Sequence, residues 1–264
     1  MSTSRAKRLK IIQINIWKGK FLDDLVSFLK TEDPDIVTMQ EVSGGAENNH
    51  EDKTLDVFQE LKKRLGLNGV LAVRFRMEGD PASYVGNAVL TKGEVVSHET
   101  VWFKPYQDMS PEEWRRDYIY GPNNAIDCFV NAGGVQLRVI SVHGAWTKNP
   151  VDTPEKVRQA VILKGHIQKL GGTPFLIGGD MNEPPSSQVI RSIEEVARNA
   201  TTTLKSSVTR STHPKIHKTV SFRPEGLLVD YIFTSKHFDV LSVDAPEVTV
   251  SDHLPIRAVL EYRA

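Results

Sequence analysis

Two hydrophobic rhythms alternate along the chain. Isoleucine-rich alternation over Leu9–Trp17 predicts a β-strand, and the spacing of Phe21, Leu22, Leu25, Phe28 and Leu29 predicts a helix over Phe21–Lys30. Pro34-Asp35 breaks that helix, and Ile36–Val42 reads as a second strand. Lys53–Leu67 is amphipathic, with Leu55, Phe58, Leu61 and Leu65 on one face. Gly69–Phe75, Asn87–Thr91 and Val95–Phe103 read as strands, and residues 104–124, without clear period, as a long loop. Ile126–Asn131 and Val135–Val142, joined by Ala-Gly-Gly, read as a hairpin. Thr153-Pro154 opens a helix that runs to about Leu170 and stops at Gly171-Gly172. A strand to Asp180 follows, then a helix near Ser187–Arg198 and a Ser/Thr/Lys-rich loop over 201–220. Strands near Leu228–Thr234, Val240–Val243 and Pro255–Tyr262 complete the chain. The element order repeats loosely between the two halves. It predicts an α/β protein in which two mixed sheets pack face to face with helices outside. Residues 9–264 are expected to form one domain, and residues 1–8 a flexible basic tail.

Composition narrows this picture mainly by exclusion. Lys+Arg and Asp+Glu number 33 each in 264 residues, so no overall field draws nucleic acid or anionic membrane. Cys128 is the single cysteine, so no internal disulfide is possible, and its apolar neighbours suggest a core residue. The basic start followed by Ile-Ile-Gln-Ile-Asn-Ile-Trp resembles a signal peptide, but the apolar run is short and interrupted by Gln13 and Asn15. No stretch reaches membrane-spanning length. The expectation is a soluble, cytoplasmic protein without an evident obligate protein partner.

Chemistry concentrates in Pro174-Phe-Leu-Ile-Gly-Gly-Asp180-Met-Asn182-Glu-Pro-Pro185. Four apolar residues run into two glycines, then an acid and an amide stand two residues apart. At strand spacing the pair shares one side and could hold a water, the acid accepting its proton and the amide fixing its position. The same composition also favours a simple turn. Other polar residues collect at strand ends: Asn15, Gln40-Glu41, His143 and Ser251-Asp252-His253. Asp230 lies inside the apolar run Leu227–Phe233, where a charge is costly unless paired, and His253 is a candidate partner. Carboxylates (Glu41, Asp180, Asp230, Asp252) and amides (Asn15, Asn182) suit a hard, oxygen-liking cation such as Mg²⁺ or Mn²⁺. Without HExxH or a cysteine cluster a zinc site has little support, and without GxxxxGK[ST] neither has a nucleoside triphosphatase.

The ordered set Ile14-Asn15-Ile16-Trp17, Asp35–Val42, Gly86–Leu90, Ser141-Val-His143, Gly179-Asp180-Met-Asn182, Val229–Ile232 and Ser251–Pro255 resembles the endonuclease/exonuclease/phosphatase superfamily. That group includes exonuclease III-type abasic-site endonucleases, deoxyribonuclease I, tyrosyl-DNA phosphodiesterase 2, neutral sphingomyelinases and inositol polyphosphate 5-phosphatases. The resemblance spans about residues 9–262. It implies a four-layer α/β sandwich and divalent-metal hydrolysis of a phosphoester. It further implies Glu41 as main metal ligand with Asn15 and Asp252 beside it. Asp180 would orient and deprotonate the attacking water, with Asn182 placing it. His253, paired with Asp230, and His143 would contact the phosphoryl group. Gly178 and Gly179 would let the backbone end close to a phosphate and its metal.

Three departures stand out. Trp17 occupies a position where abasic endonucleases carry an acid, so a second acidic ligand is missing. His143 stands where those enzymes carry Asn. Asn123-Asn124 replaces an arginine that leads into the strand before the His motif in many members, with Arg115 and Arg116 several residues earlier.

The substrate is open at this level. Lys205, Arg210, His213, Lys215, His217 and Lys218 could contact a nucleic-acid backbone. Trp102, Phe103, Tyr106, Trp114, Tyr118 and Tyr120 could stack on bases, dip into a membrane interface or simply pack a loop. Trp146, Tyr118, Arg116 and Lys215 are the expected substrate contacts. The reading favours a Mg²⁺-dependent nuclease or DNA-end phosphodiesterase, as in DNA repair. The alternative is a phosphatase or phospholipase-type enzyme acting on inositol phosphates or phospholipid head groups. A catalytically inactive binding protein is a third, weaker reading.

Overall fold

The computed structural model describes residues 7–116, 121–208 and 226–263. Its elements are β1 (Lys7–Asn15), α1 (Leu22–Glu32), β2 (Ile36–Gly44), α2 (Val57–Leu65), β3 (Asn68–Met77), β4 (Asp80–Thr91), β5 (Glu94–Lys104) and α3 (Pro111–Arg116). They continue with β6 (Asn123–Ala132), β7 (Val135–His143), α4 (Pro154–Lys169), β8 (Phe175–Asp180), α5 (Gln188–Glu194), β9 (Arg198–Asn199), β10 (Asp230–Thr234), β11 (Phe238–Asp244) and β12 (Ile256–Tyr262).

The strands form two six-stranded sheets, ordered β11-β12-β1-β2-β4-β3 and β5-β6-β7-β8-β10-β9. Each holds one parallel pair near its centre, β1 with β2 and β7 with β8, and the other pairings are antiparallel. The chain therefore folds as the expected four-layer sandwich. Leu9, Ile11, Val89, Val139, Ile232 and their neighbours fill the space between the sheets, and buried Cys128 lies among them. Leu22, Leu25 and Leu29 of α1, with Val57, Phe58 and Leu61 of α2, cover the first sheet's outer face. Ala160, Leu163 and Ile167 of α4, with Val189, Ile190 and Ile193 of α5, cover the second. No described helix is long and apolar enough to cross a membrane.

The last strand returns to pair antiparallel with the first, Gln13 opposite Ile256. That return carries Ser251-Asp252-His253 to the end of β1, where Ser251 Oγ donates to the Asn15 carbonyl at 2.6 Å. Between the sheets, behind this end, runs a buried polar seam. Thr38 Oγ1 donates to Gln13 Oε1 at 2.7 Å, Gln40 Nε2 to Ser141 Oγ at 3.0 Å, and Gln13 Nε2 to Asp230 Oδ1 at 3.3 Å.

Several expectations need correction. The stretch 104–124 contains α3 and the start of β6, so it is not one long loop. Ser110 caps α3: its Oγ accepts from Glu113 N while Glu113 Oε2 accepts from Ser110 N. The strand expected over Leu228–Thr234 begins at Asp230, which therefore opens the strand rather than lying inside it. The helix near Ser187–Arg198 is shorter, Gln188–Glu194, and two-residue β9 follows it.

Candidate active site

The two parallel pairs end side by side. Asn15 is in register with Gln40 across β1/β2, and His143 with Asp180 across β7/β8. Asp230 faces Asp180 across the antiparallel β8/β10 pair. Strand pairing gathers each group within its own sheet, and the packing of the two sheets brings Asn15 to Asp180.

Glu41 reaches the site through a bulge. The β2/β4 register runs to Met39 opposite Ala88 and resumes at Val42 opposite Gly86. Within that break Glu41 takes φ 55°, a left-handed conformation that costs a non-glycine residue free energy. Asn15 Nδ2 donates to Glu41 Oε1 at 3.3 Å and to Asp180 Oδ2 at 3.1 Å, joining the ends of three strands.

Asp180 and Asn182 form a turn and also line the site, so the two readings of this pair are compatible. Asp180 Oδ1 accepts from Asn182 N at 2.9 Å, and Asn182, at φ 52°, donates from Nδ2 to the Gly144 carbonyl at 3.0 Å. A buried ion pair, Lys156 Nζ to Glu183 Oε1 at 2.5 Å, braces this turn from behind, with Lys156 also 3.3 Å from the Asn182 carbonyl. The adjacent glycines serve packing rather than phosphate approach. A Cβ at Gly178 would collide with Thr38 on the opposite sheet, and one at Gly179 would stand 2.6 Å from the Val142 carbonyl.

Asp180 Oδ2 is the focus of the arrangement. His143 Nε2 lies 3.5 Å away and His253 Nε2 3.8 Å away. Burial, reinforced by Asp230 opposite, pushes Asp180 up to about 7, against the lowering effects of His253, Asn15 and the Asn182 amide. His253 Nδ1 pairs with Asp230 Oδ2 at 2.7 Å, as the sequence suggested. Burial opposes the charge on His253, but Asp230, Asp180 and Asp252 outweigh it and hold the ring well above the usual histidine range. His143 moves the other way: burial, Arg74 and His253 keep it well below that range, and its buried Nδ1 has no partner among the described residues.

Asp252 is pushed up to about 6 by burial, lowered in part by His253 and raised again by the nearby Glu41 carboxylate. Two carboxylates in mutual repulsion are donors suited to a hard divalent cation; Asn15 turns its amide nitrogen to this corner while its oxygen accepts from Trp17 N at 3.0 Å. Asp180, Asp230 and His253 also offer three ligand atoms within 4.8 Å of one another. There the Asp230–His253 ion pair already consumes two of the groups, so the Glu41–Asp252 corner fits a cation better.

The site opens into a cleft of about 540 Å³. Trp17, Trp114 and Trp146 line it, together with Lys18, Lys148 and Arg74. Trp146, expected as a substrate contact, stands on this rim at 46% exposure. Arg116 is exposed on α3 and outside the lining, while Tyr118 and Lys215 lie outside the described residues. The same holds for Tyr120, Arg210, His213, His217 and Lys218; Lys205 is exposed and outside the lining. Of the remaining aromatics, Phe103 is buried under α4, and Trp102 packs edge-on against Tyr106 at 6.0 Å. Arg74, on β3, went unnoticed in the sequence. Burial lowers its guanidinium to about 10, opposed by nearby Glu41, so it stays charged near neutrality.

Two such sheets, with carboxylates and histidines gathered at one end, are the frame of a family of phosphoester hydrolases. Residues 12–253 match the model of the Endonuclease/Exonuclease/phosphatase family, and the chain belongs to that family. Among solved structures, an endonuclease/exonuclease/phosphatase from Bacteroides vulgatus is similar, with TM-score 0.70 and 20% identity over 97% of this chain and 99% of that one. The mannosyl-6-phosphatase Bt3783 of Bacteroides thetaiotaomicron is similar at TM-score 0.66 and 16% identity, over 96% and 99%. The human Nocturnin catalytic domain with bound sulfate is similar at TM-score 0.64 and 18% identity, over 98% and 96%. No curated protein matches the sequence.

Proposed function

We propose that the protein is a divalent-metal-dependent phosphoesterase that attacks phosphorus in line with an activated water, without a covalent enzyme intermediate. The observation that carries this reading is the convergence on Asp180 Oδ2 of Asn15 at 3.1 Å, His143 at 3.5 Å and His253 at 3.8 Å. Asp180 is the base: a carboxyl raised toward neutrality accepts the water's proton effectively at the pH where it works. The Asn182 turn holds its other oxygen in place. His253, kept cationic by Asp230, offers Nε2–H to a phosphoryl oxygen and offsets charge growing there. Neutral His143 provides a second polar contact.

Glu41, Asn15 and Asp252 would hold the cation, with Mg²⁺ expected and Mn²⁺ able to substitute. Bound there, it supplies Lewis-acid polarisation of the phosphoryl group. Trp17 stands at the position of an acid in abasic endonucleases, so that position adds no third carboxylate to Glu41 and Asp252.

For substrate, we favour a nucleic-acid end or nucleotide over a long duplex. Three indole rings with Lys18 and Lys148 suit a base and its phosphates. The cleft has the volume of a small-ligand site rather than a long groove. That volume also suits a phosphomonoester of a small molecule, such as the substrate named for the Bacteroides phosphatase. One panel separates these readings: abasic duplex, single strands, 5′-tyrosyl DNA, inositol phosphates, sphingomyelin and sugar phosphates, each with Mg²⁺, Mn²⁺ or EDTA. Turnover of nucleic-acid ends with metal supports the proposal. Turnover confined to sphingomyelin or sugar phosphates would sink its nucleic-acid part, and metal-independent turnover its mechanism.

A further inference from the structure

Arg74 is 6% exposed, yet it lines the cleft. Its Nε donates to the Pro122 carbonyl at 3.1 Å, and its guanidinium carbon lies 6.0 Å from the centre of the Trp114 ring. No described carboxylate forms an ion pair with it. A guanidinium has five N–H donors, so one of them is used here. Desolvating this charge without an anion is unfavourable.

The surroundings hold Arg74 in place rather than neutralise it. Trp114 is itself packed on Phe75 at 4.4 Å. Asn124 Nδ2 donates to the Val73 carbonyl at 3.2 Å, and Asn87 Nδ2 to the Asn124 carbonyl at 2.8 Å, tying β3 and β4 of one sheet to β6 of the other. Arg74 shares the cleft lining with Glu41 and His143, and its charge acts on both.

We infer that Arg74 is a phosphoryl-binding residue whose guanidinium donates to non-bridging phosphate oxygens in the cleft that it lines with His253. This rests on the phosphoesterase reading and adds a ligand contact to it. The planar fork matches two oxygens of one phosphate and cannot be reproduced by an ammonium group.

The test is titration calorimetry with inorganic phosphate on the Mg²⁺-loaded protein, wild type against R74A and R74K, with Mg²⁺ titrated separately. R74A should bind phosphate roughly 10–100-fold more weakly, the range of charge-assisted hydrogen bonds, with Mg²⁺ affinity kept within about threefold. R74K, which keeps the charge and the fold of the wall, should fall between the two. Methylguanidinium should restore phosphate binding to R74A. Phosphate affinity in R74A or R74K equal to wild type, with substrate still hydrolysed by wild type, would overturn the role of Arg74 and leave the phosphoesterase reading standing. A wild type that neither binds phosphate nor hydrolyses any phosphoester would overturn both.

Discussion

Two buried aspartates of the second sheet each hold a histidine, and they live in opposite electrostatic worlds. Asp127 on β6 meets His166 Nε2 at 2.6 Å; Asp230 on β10 meets His253 Nδ1 at 2.7 Å. Asp127 also receives the Arg138 fork, Nε at 2.8 Å and Nη2 at 2.7 Å, and Arg138 goes on to Glu99 at 2.6 Å. Its charge is answered before the histidine is counted. Among the described residues Asp230 has no arginine partner: its other oxygen accepts from the Gln13 amide at 3.3 Å, and a second buried carboxylate, Asp180, faces it. His253 is therefore the cation of that group, and its Nε2 points towards Asp180 and the cleft. The same residue pair is a structural tie where an arginine neutralises the acid. Where the histidine must do so alone, it is a poised charge.

The largest effects should come from the cleft side. Chelation with EDTA should reduce turnover to background, and Mg²⁺ or Mn²⁺ should restore it. Glu41→Gln should raise the metal concentration needed for half-activation on the order of 10–100-fold. Asp180→Asn should lower kcat about 10³-fold, while the thermal midpoint stays level or rises because a buried, mutually repelling carboxylate is removed. Loss of folding in Asp180→Asn would contradict that account of its burial.

The direct comparison is between the two aspartates. Asp230→Asn should cost kcat about 10²-fold, since His253 loses both the group that orients its ring and the charge that keeps it protonated. Asp127→Asn should leave kcat within about twofold. It should cost about 3 kcal/mol of stability in urea unfolding, because Arg138, largely buried, loses its fork partner and keeps only Glu99. The reverse pattern would exchange the roles assigned to the two clusters.

Much of this geometry was legible in the chain. Period-two alternation marked the central strands, and polar residues at their ends marked Asn15, Glu41, His143 and Asp180. The misses have physical reasons. Helix α3 has six residues, too few to show a period, although Ser110-Pro111-Glu112-Glu113 carries a capping-box signature. Asp230 looked interior to its strand because Leu228 and Val229 before it are apolar; both are buried outside the ladder. Gly178 and Gly179 suggested an opening for phosphate, while only the opposing sheet and the neighbouring strand reveal what they accommodate. Arg74 alternates with Arg76 along β3, a pattern that on its own reads as a solvent-facing side. Its place in the cleft follows from the packing of one sheet on the other, and no local pattern encodes that.

The smallest effect expected distinguishes a tie from a poised charge most finely. His166 is 14% exposed at its side chain and contributes one hydrogen bond to an aspartate that Arg138 already satisfies. Removing the ring should leave Asp127 paired, so His166→Ala should cost about 1 kcal/mol of stability and nothing in kcat. Urea unfolding and steady-state kinetics on the same preparation measure both quantities. His253→Ala, which leaves Asp230 and Asp180 facing each other without a cation, should instead remove activity. If His166→Ala lowered kcat as well, the Glu99–Asp127–His166 group would have to communicate with the cleft. The nearest route is through α4, which carries His166 at one end and Lys156, the brace of the Asn182 turn, at the other.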